Sequence, residues 1–237
     1  MTRERGRTGG IVVVFTRPSD MHGESGWDRW YDQEHLPDTV AASGAWVATR
    51  WEVADRPVGV SPPVGFTHVA IYEFEDVAQG APALLDHVER SRAVGQIHPL
   101  HTISAVDTLV AATGWPGRLE PRAEVTGQVI AYVGPNDPAL DGPWNEWLAT
   151  EHIPDMLAAG FVDASRWRRT EPVRFGPNYL TVYDVEGMDV MEAVARSGEA
   201  MAPAHAAGRI MSCHSGGIRA ALRPAGHHGS AGCRPGA

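Results

Sequence analysis

The chain has 237 residues, of which 43% are hydrophobic and 21% charged, and it carries a formal net charge of −9. That length suffices for a real core, and the composition is that of an ordinary globular protein. The acidic surplus excludes nucleic acid and anionic membrane as main partners, because phosphate binding needs a basic face, and no apolar run nears the roughly 18 residues of a membrane span.

The basic start, MTRERGRTGG, is followed only by the short run IVVVF. That run is too short for a signal-peptide core, so residues 1–9 read as a disordered tail. Two cysteines, Cys213 and Cys233, make no disulfide framework. Both read as free thiols of a cytoplasmic protein.

The elements then come in order. Ile11–Phe15 is a β-branched run and predicts a buried strand. A helix is expected from an N-cap at Ser25, with Trp27, Trp30, Tyr31, Glu34 and Asp38 at spacings of three and four. Pro37 cannot sit quietly inside it, so a kink is expected near His35 and Leu36. Gly44 supplies the stop. Strands are expected over 45–54 and 66–75, a helix over 77–94 and a strand over 102–112. Residues 10–113 therefore form one β-α-β-β-α-β unit, the ferredoxin-like arrangement. After a linker over 114–124 the pattern returns: strand 125–133, helix 143–159, strands 161–171 and 178–186, helix 188–206, strand 209–222. The Gly/His/Pro-rich residues 223–237 read as a disordered tail.

The second unit repeats the first in detail. WDRWYDQEHLPD, Trp27–Asp38, returns as WNEWLATEHIPD, Trp144–Asp155, with Trp27/Trp144, Trp30/Trp147, Glu34/Glu151, His35/His152, Pro37/Pro154 and Asp38/Asp155 at one constant offset. Arg50 matches Arg166, and Tyr72 matches Tyr183. A four-stranded sheet with helices on one face leaves its other face uncovered. Two such units in one chain predict an α+β protein in which the open faces meet around a shared interior.

The strand–helix–strand–strand–helix–strand order, with Trp30, Glu34, His35, Leu36, Pro37 and Asp38 in its first helix and their counterparts in the second half, resembles the dimeric α/β-barrel superfamily, and within it the EthD-like members. The resemblance covers about residues 10–222 and implies an intramolecular barrel, a pseudo-dimer within one chain that can pair further as a homodimer. It implies a small-molecule pocket whose wall carries the matching histidine as acid/base. The superfamily includes cofactor-free monooxygenases, polyketide cyclases, dehydratases, isomerases, haem peroxidases and chlorite dismutases, so fold alone does not give the reaction.

His35 and His152 are the first candidates for chemistry, since imidazole takes and gives protons near neutrality. Asp38 and Asp155 stand three residues on, where a carboxylate can fix an imidazole's tautomer. The bland alternative makes each histidine a helix cap. Arg50 and Arg166 could bind a carboxylate or enolate oxygen, or lie exposed at a strand end. Tyr72 and Tyr183 could orient a carbonyl, or simply pack. Trp30 and Trp147 suit a planar substrate, although such stripes are commonly core. His68 has no matching histidine, with Asn178 and Tyr179 standing there; if its face points inward, the first half has an extra polar group and could be the active half. His98 and His101 flank Pro99, but no carboxylate or cysteine spacing completes a metal site.

There is no GxGxxG, P-loop or nucleophile elbow. The expectation is therefore an enzyme without an organic cofactor, acting on an aromatic or polyketide-like small molecule as a cyclase, dehydratase or isomerase. A cofactor-free monooxygenase acting on a phenol and a non-catalytic binding or stress-associated protein are the alternatives.

Overall fold

The computed structural model describes residues 8–20, 24–54, 65–112, 125–172 and 177–229. The expected linker 114–124 lies outside the described residues, as do residues 1–7 and 230–237 of the expected tails. The chain divides into two compact units, residues 1–52, 64–119 and 224–237 in one and residues 53–63 and 120–223 in the other.

The first unit runs β1 (Gly10–Pro18), α1 (Glu24–Trp30), a wide turn of π-helix (Tyr31–His35), α2 (Leu36–Ser43), β2 (Val47–Val53), β3 (His68–Phe74), α3 (Val77–Ala93) and β4 (His101–Ala111). β1 lies between β3 and β4, and β2 pairs with β3; every pairing is antiparallel. The second unit has the same order: β5 (Val125–Pro135), α4 (Asp141–Trp147), a π-turn (Leu148–His152), α5 (Ile153–Ala158), β6 (Asp163–Arg169), β7 (Tyr179–Glu186), α6 (Val190–Ala206) and, as far as Arg223, β8 (His214–Gly229). β5 lies between β7 and β8, and β6 pairs with β7, again antiparallel.

Three expectations need correction. The helix of the first unit begins at Glu24, so Ser25 lies inside it rather than capping it. The expected tail begins later than Leu222, because β8 runs on to Gly229. At the other end Thr8 is already fixed, its Oγ1 donating to Glu73 Oε2 at 2.8 Å.

The kink expected at Pro37 takes a defined form. A proline lacks the N–H that would close an ordinary helical turn. The chain widens just before it, and the Leu36 N–H bonds the Tyr31 carbonyl, five residues back. The second unit repeats this, with the Ile153 N–H on the Leu148 carbonyl ahead of Pro154. Gly44 ends α2 at φ 73°, the left-handed conformation that glycine accepts without penalty. Side chains at both N-caps, Asp76 before α3 and Asp189 before α6, accept from the second N–H of the helix at 2.9 Å.

In the first unit the helices pack on the sheet through one cluster, in which Trp27, Tyr31, Leu36, Val40, Leu84 and Val88 meet Val12, Val14, Ala70, Tyr72 and Phe74. α3 approaches closely at Gly80, where a Cβ would collide with the Phe74 ring. Gly80→Ala should therefore destabilise the protein by about 1–3 kcal/mol, the usual cost of overpacking a core. Thermal unfolding should show it as a fall in Tm of about 2–4 °C per kcal/mol for a chain of this size.

Candidate functional site

The π-turns position the site. Each one ends on a motif histidine and lays it against the tryptophan five residues earlier. His35 stacks on Trp30 at 4.8 Å and 20°, and His152 stacks on Trp147 at 5.2 Å and 30°. A second histidine reaches each stack from the first residue of the unit's last strand. His101 lies 5.4 Å from His35, and His214 lies 5.7 Å from His152, between ring centroids. The first tryptophan of each motif fixes that second ring: Trp27 Nε1 donates to His101 Nδ1 at 3.3 Å, and Trp144 Nε1 donates to His214 Nδ1 at 3.2 Å. Because Nδ1 accepts, the proton of each neutral ring sits on Nε2.

His214 is the residue that sequence reasoning missed. The pair His101/His214 does not keep the offset of the helix motif, because the loops between are of different length. The detectable signal was position: each histidine opens the last strand of its unit.

The carboxylates of the motif do not serve as orienting partners. Among the described residues no hydrogen bond or ion pair joins His35 to Asp38 or His152 to Asp155. Asp38 is exposed, and Asp155 pairs with Arg209 at 3.6 Å. Burial dominates the histidines instead. It lowers the His35 pKa to about 3, with His101 and His87 adding to the shift. Burial and then His214 lower that of His152 to about 4 against an opposing pull from Asp155. His101 is lowered to about 4 by burial, Arg92 and His98, and His214 is lowered by burial and His205.

The arginines are neither exposed nor alike. Arg50 is 2% exposed and lies under α1. Its Nε and Nη2 donate to Asp32 at 2.8 and 3.1 Å, its Nη1 donates to Asp28 at 2.8 Å, and the guanidinium covers the Tyr31 ring at 5.1 Å. Burial alone would lower its pKa, but the two carboxylates override this and raise it. In the second unit Asn145 stands in the place of Asp28 and Ala149 in that of Asp32. Arg166 Nη2 donates to Asn145 Oδ1 at 2.7 Å, and burial lowers its pKa to about 10.

His68 belongs to the Arg50 cluster. Its ring meets the edge of Trp27 at 4.9 Å, its Nε2 is 3.7 Å from Asp28 Oδ1, and burial and Arg50 lower its pKa to about 4. Its counterpart, the first residue of β7, is Tyr179, whose hydroxyl donates to Asp141 at 2.9 Å. The symmetry break expected at His68 is thus an exchange of internal polar clusters.

Tyr72 is packed in the core at 1% exposure, and burial and the neighbouring Tyr31 push its pKa well up. Tyr183 is also buried and raised by burial, but it lines a cavity. This cavity, about 270 Å³, lies within the second unit and reaches from the sheet to α5 and α6. Val129, Ala131, Leu148, Met156 and Met201 form its apolar wall; His152, His214, Thr181, Tyr183, Ser197 and Arg219 are its principal polar groups.

The first unit carries larger side chains at the matching positions. The π-turn opens with Tyr31 there and Leu148 here. The eighth residue of the long helix is the buried Leu84 there and Ser197 here, and the third residue of the last strand is Ile103 there and Gly216 here. A Cβ at Gly216 or at Gly198 would meet nothing within 4 Å. His35 faces a different space, a surface cleft of about 360 Å³ beside α2 and α3 that also takes in Trp30, Glu34, Asp38, His87 and His98. Among the described residues no cluster of His, Cys, Asp or Glu has the makings of a metal site, and no helix is long and apolar enough to cross a membrane.

No family model matches the chain, and no curated protein matches it. Solved structures do match. A provisionally named chlorite dismutase is 12% identical, with 91% of this chain and 93% of that one covered and a TM-score of 0.57. A provisionally named monooxygenase from Fusobacterium nucleatum is 11% identical, at 94% and 95% coverage and TM-score 0.55. A Rhodococcus jostii RHA1 DypB variant in complex with heme is 9% identical, at 94% and 96% coverage and TM-score 0.56. At these identities the likeness is one of fold: an α+β chain of the dimeric α/β-barrel type.

The buried neutral histidines make stability pH-dependent. Their folded-state pKa values lie below the unfolded value of 6.5, so below that value the unfolded chain binds more protons. Their contribution is complete above about pH 6.5 and is lost as pH falls toward 4 and then 3. Urea unfolding at a series of pH values should show the midpoint dropping steadily from pH 6.5 to 4, and His35→Phe should flatten part of that slope. Asp32→Ala should cost about 3 kcal/mol, because it strips half the charge compensation from a buried guanidinium; the same unfolding assay at pH 7 reads it.

Proposed function

We propose that the protein is a small-molecule enzyme of the second-unit cavity, in which His152 moves a proton and no organic cofactor is used. The observation that carries this reading is the asymmetry of the two units. Both keep the Trp–His–His cluster, but in the second Leu148, Ser197 and Gly216 leave an apolar-walled cavity of about 270 Å³ beside His152 and His214, whereas the space beside His35 is an acidic surface cleft. A pocket with an apolar wall and a few convergent polar groups is the form that small-molecule sites take.

The chemistry comes from the side chains. His152 is neutral at pH 7, so its imidazole accepts a proton from a carbon next to a carbonyl or from a hydroxyl. Its Nδ1 is buried without a hydrogen-bond partner, so proton exchange with a ligand falls to Nε2. Tyr183 stays protonated, because burial raises its pKa, and can donate to the oxygen that gains charge. His152 then returns the proton at another carbon, which isomerises the substrate, or to a departing hydroxide, which leaves as water. Arg219 supplies positive charge to both groups, since its field lowers the pKa of His152 and of Tyr183. In this reading the first unit, with Tyr31 and Leu84 in place and Arg50 held by two aspartates, is the supporting half of a tandem, EthD-like chain.

Haem, held by the DypB variant above, does not fit these residues. The cavity of about 270 Å³ is smaller than the roughly 300 Å³ at which pockets for drug-sized ligands begin, and a porphyrin is larger than most such ligands. Titration of the purified protein with hemin should give no saturable Soret band.

His152→Ala should lower kcat by about 10²–10⁴, the usual contribution of a positioned acid/base, in a turnover screen of aromatic and polyketide-like ketones and enols. His35→Ala should leave kcat within about twofold by the same reasoning. Equal losses from both variants, or none from either, would sink the assignment. Oxygen uptake coupled to turnover would favour the cofactor-free monooxygenase over proton-transfer chemistry at the same site.

A further inference from the structure

We infer that the second-unit cavity is selective for a small organic carboxylate, an anionic group on an apolar body, with Arg219 as the charge that selects it. This rests on the reading of the cavity as a ligand site and names its ligand class.

Three observations carry it. The first is the distribution of charge. The chain has 29 acidic and 20 basic residues, yet not one Asp or Glu lines this cavity, whereas Arg219 does. The first-unit cleft is the opposite case, with Glu34 and Asp38 on its wall and no Arg or Lys. The second is what Arg219 does not touch. Among the described residues no carboxylate pairs with it, although Arg209, Arg223 and Arg196 each have an acidic partner. Its place in the first unit, the sixth residue of the last strand, is held by Val106. The third is the polarity of His214. Its Nδ1 is occupied by the Trp144 N–H, so it presents an N–H and not a lone pair to a ligand. Tyr183, too, offers an O–H. A guanidinium, an imidazole N–H and a phenol O–H all seek an acceptor, and an ionised carboxylate supplies several acceptor sites without a proton of its own. The aliphatic wall of Val129, Ala131, Leu148 and Met156 then takes the apolar body.

Calorimetric titration of the full chain with benzoate, benzamide and benzylamine, which share one apolar body, tests this. Benzoate should bind at least tenfold more tightly than benzamide, and benzylamine should not bind. Arg219→Gln should weaken benzoate at least tenfold and leave benzamide within twofold. Gly216→Leu should abolish binding of both by filling the cavity; Gly198→Leu, on α6, is the second filling variant should the first fail to fold, as judged by circular dichroism. Equal affinities for benzoate and benzamide, or benzoate binding untouched by Arg219→Gln, would overturn the carboxylate assignment while leaving the cavity a ligand site. Absence of binding by all three probes, or binding that survives both filling variants, would overturn the cavity reading and the assignment together.

Discussion

A proline inside a helix forces the arrangement on which this protein's site depends. Pro37 and Pro154 cannot donate a backbone hydrogen bond, and in each unit the chain answers with one five-residue turn. That single wide turn rotates α2 relative to α1, and α5 relative to α4. The tryptophan before the turn and the histidine at its end thereby come face to face, where straight α-helical spacing would have set them on different sides. The second histidine then has a ring to approach, the first tryptophan has an imidazole nitrogen to bond, and the four aromatic groups form two stacked pairs that meet at an angle.

The two units show how the same frame is either closed or opened. Closure is a matter of volume. Tyr31, Leu84 and Ile103 occupy in the first unit what Leu148, Ser197 and Gly216 vacate in the second. The charge pattern shifts with it. Arg50 lies between two aspartates, so its charge is neutralised internally, whereas Asn145 and Ala149 leave Arg166 in a cluster built with a neutral amide. A buried, fully bonded guanidinium is costly to disturb, and Arg50 fastens β2 to α1 in the first unit.

Much of this was legible in the sequence, and the reasons are specific. The repeat set the order of elements in both units, because WDRWYDQEHLPD and WNEWLATEHIPD share the residues that make the turn. Pro37 announced an interruption, though propensity alone does not distinguish a kink from a π-turn. The motif histidines were evident by type and spacing. Their partner His214 was not, since it sits beyond loops of unequal length, and only the fold brings it to His152. The expected tautomer partners Asp38 and Asp155 failed for a related reason: spacing of three places two side chains on one helix face only when the turn between them is ordinary. Depth was the hardest property to read. Arg50 and His68 looked like free polar groups on strands, and both turned out to be neutralised beneath a helix.

The paired indole–imidazole bonds, Trp27 to His101 and Trp144 to His214, give the molecule an internal reference. The two bonds have nearly the same length and chemistry, and they differ in that His214 lines the second-unit cavity, whereas neither Trp27 nor His101 lines the cleft beside His35. A small molecule entering that cavity changes the surroundings of one indole N–H and leaves its twin as it was. The chain thus holds a reporter and its own control in a single polypeptide.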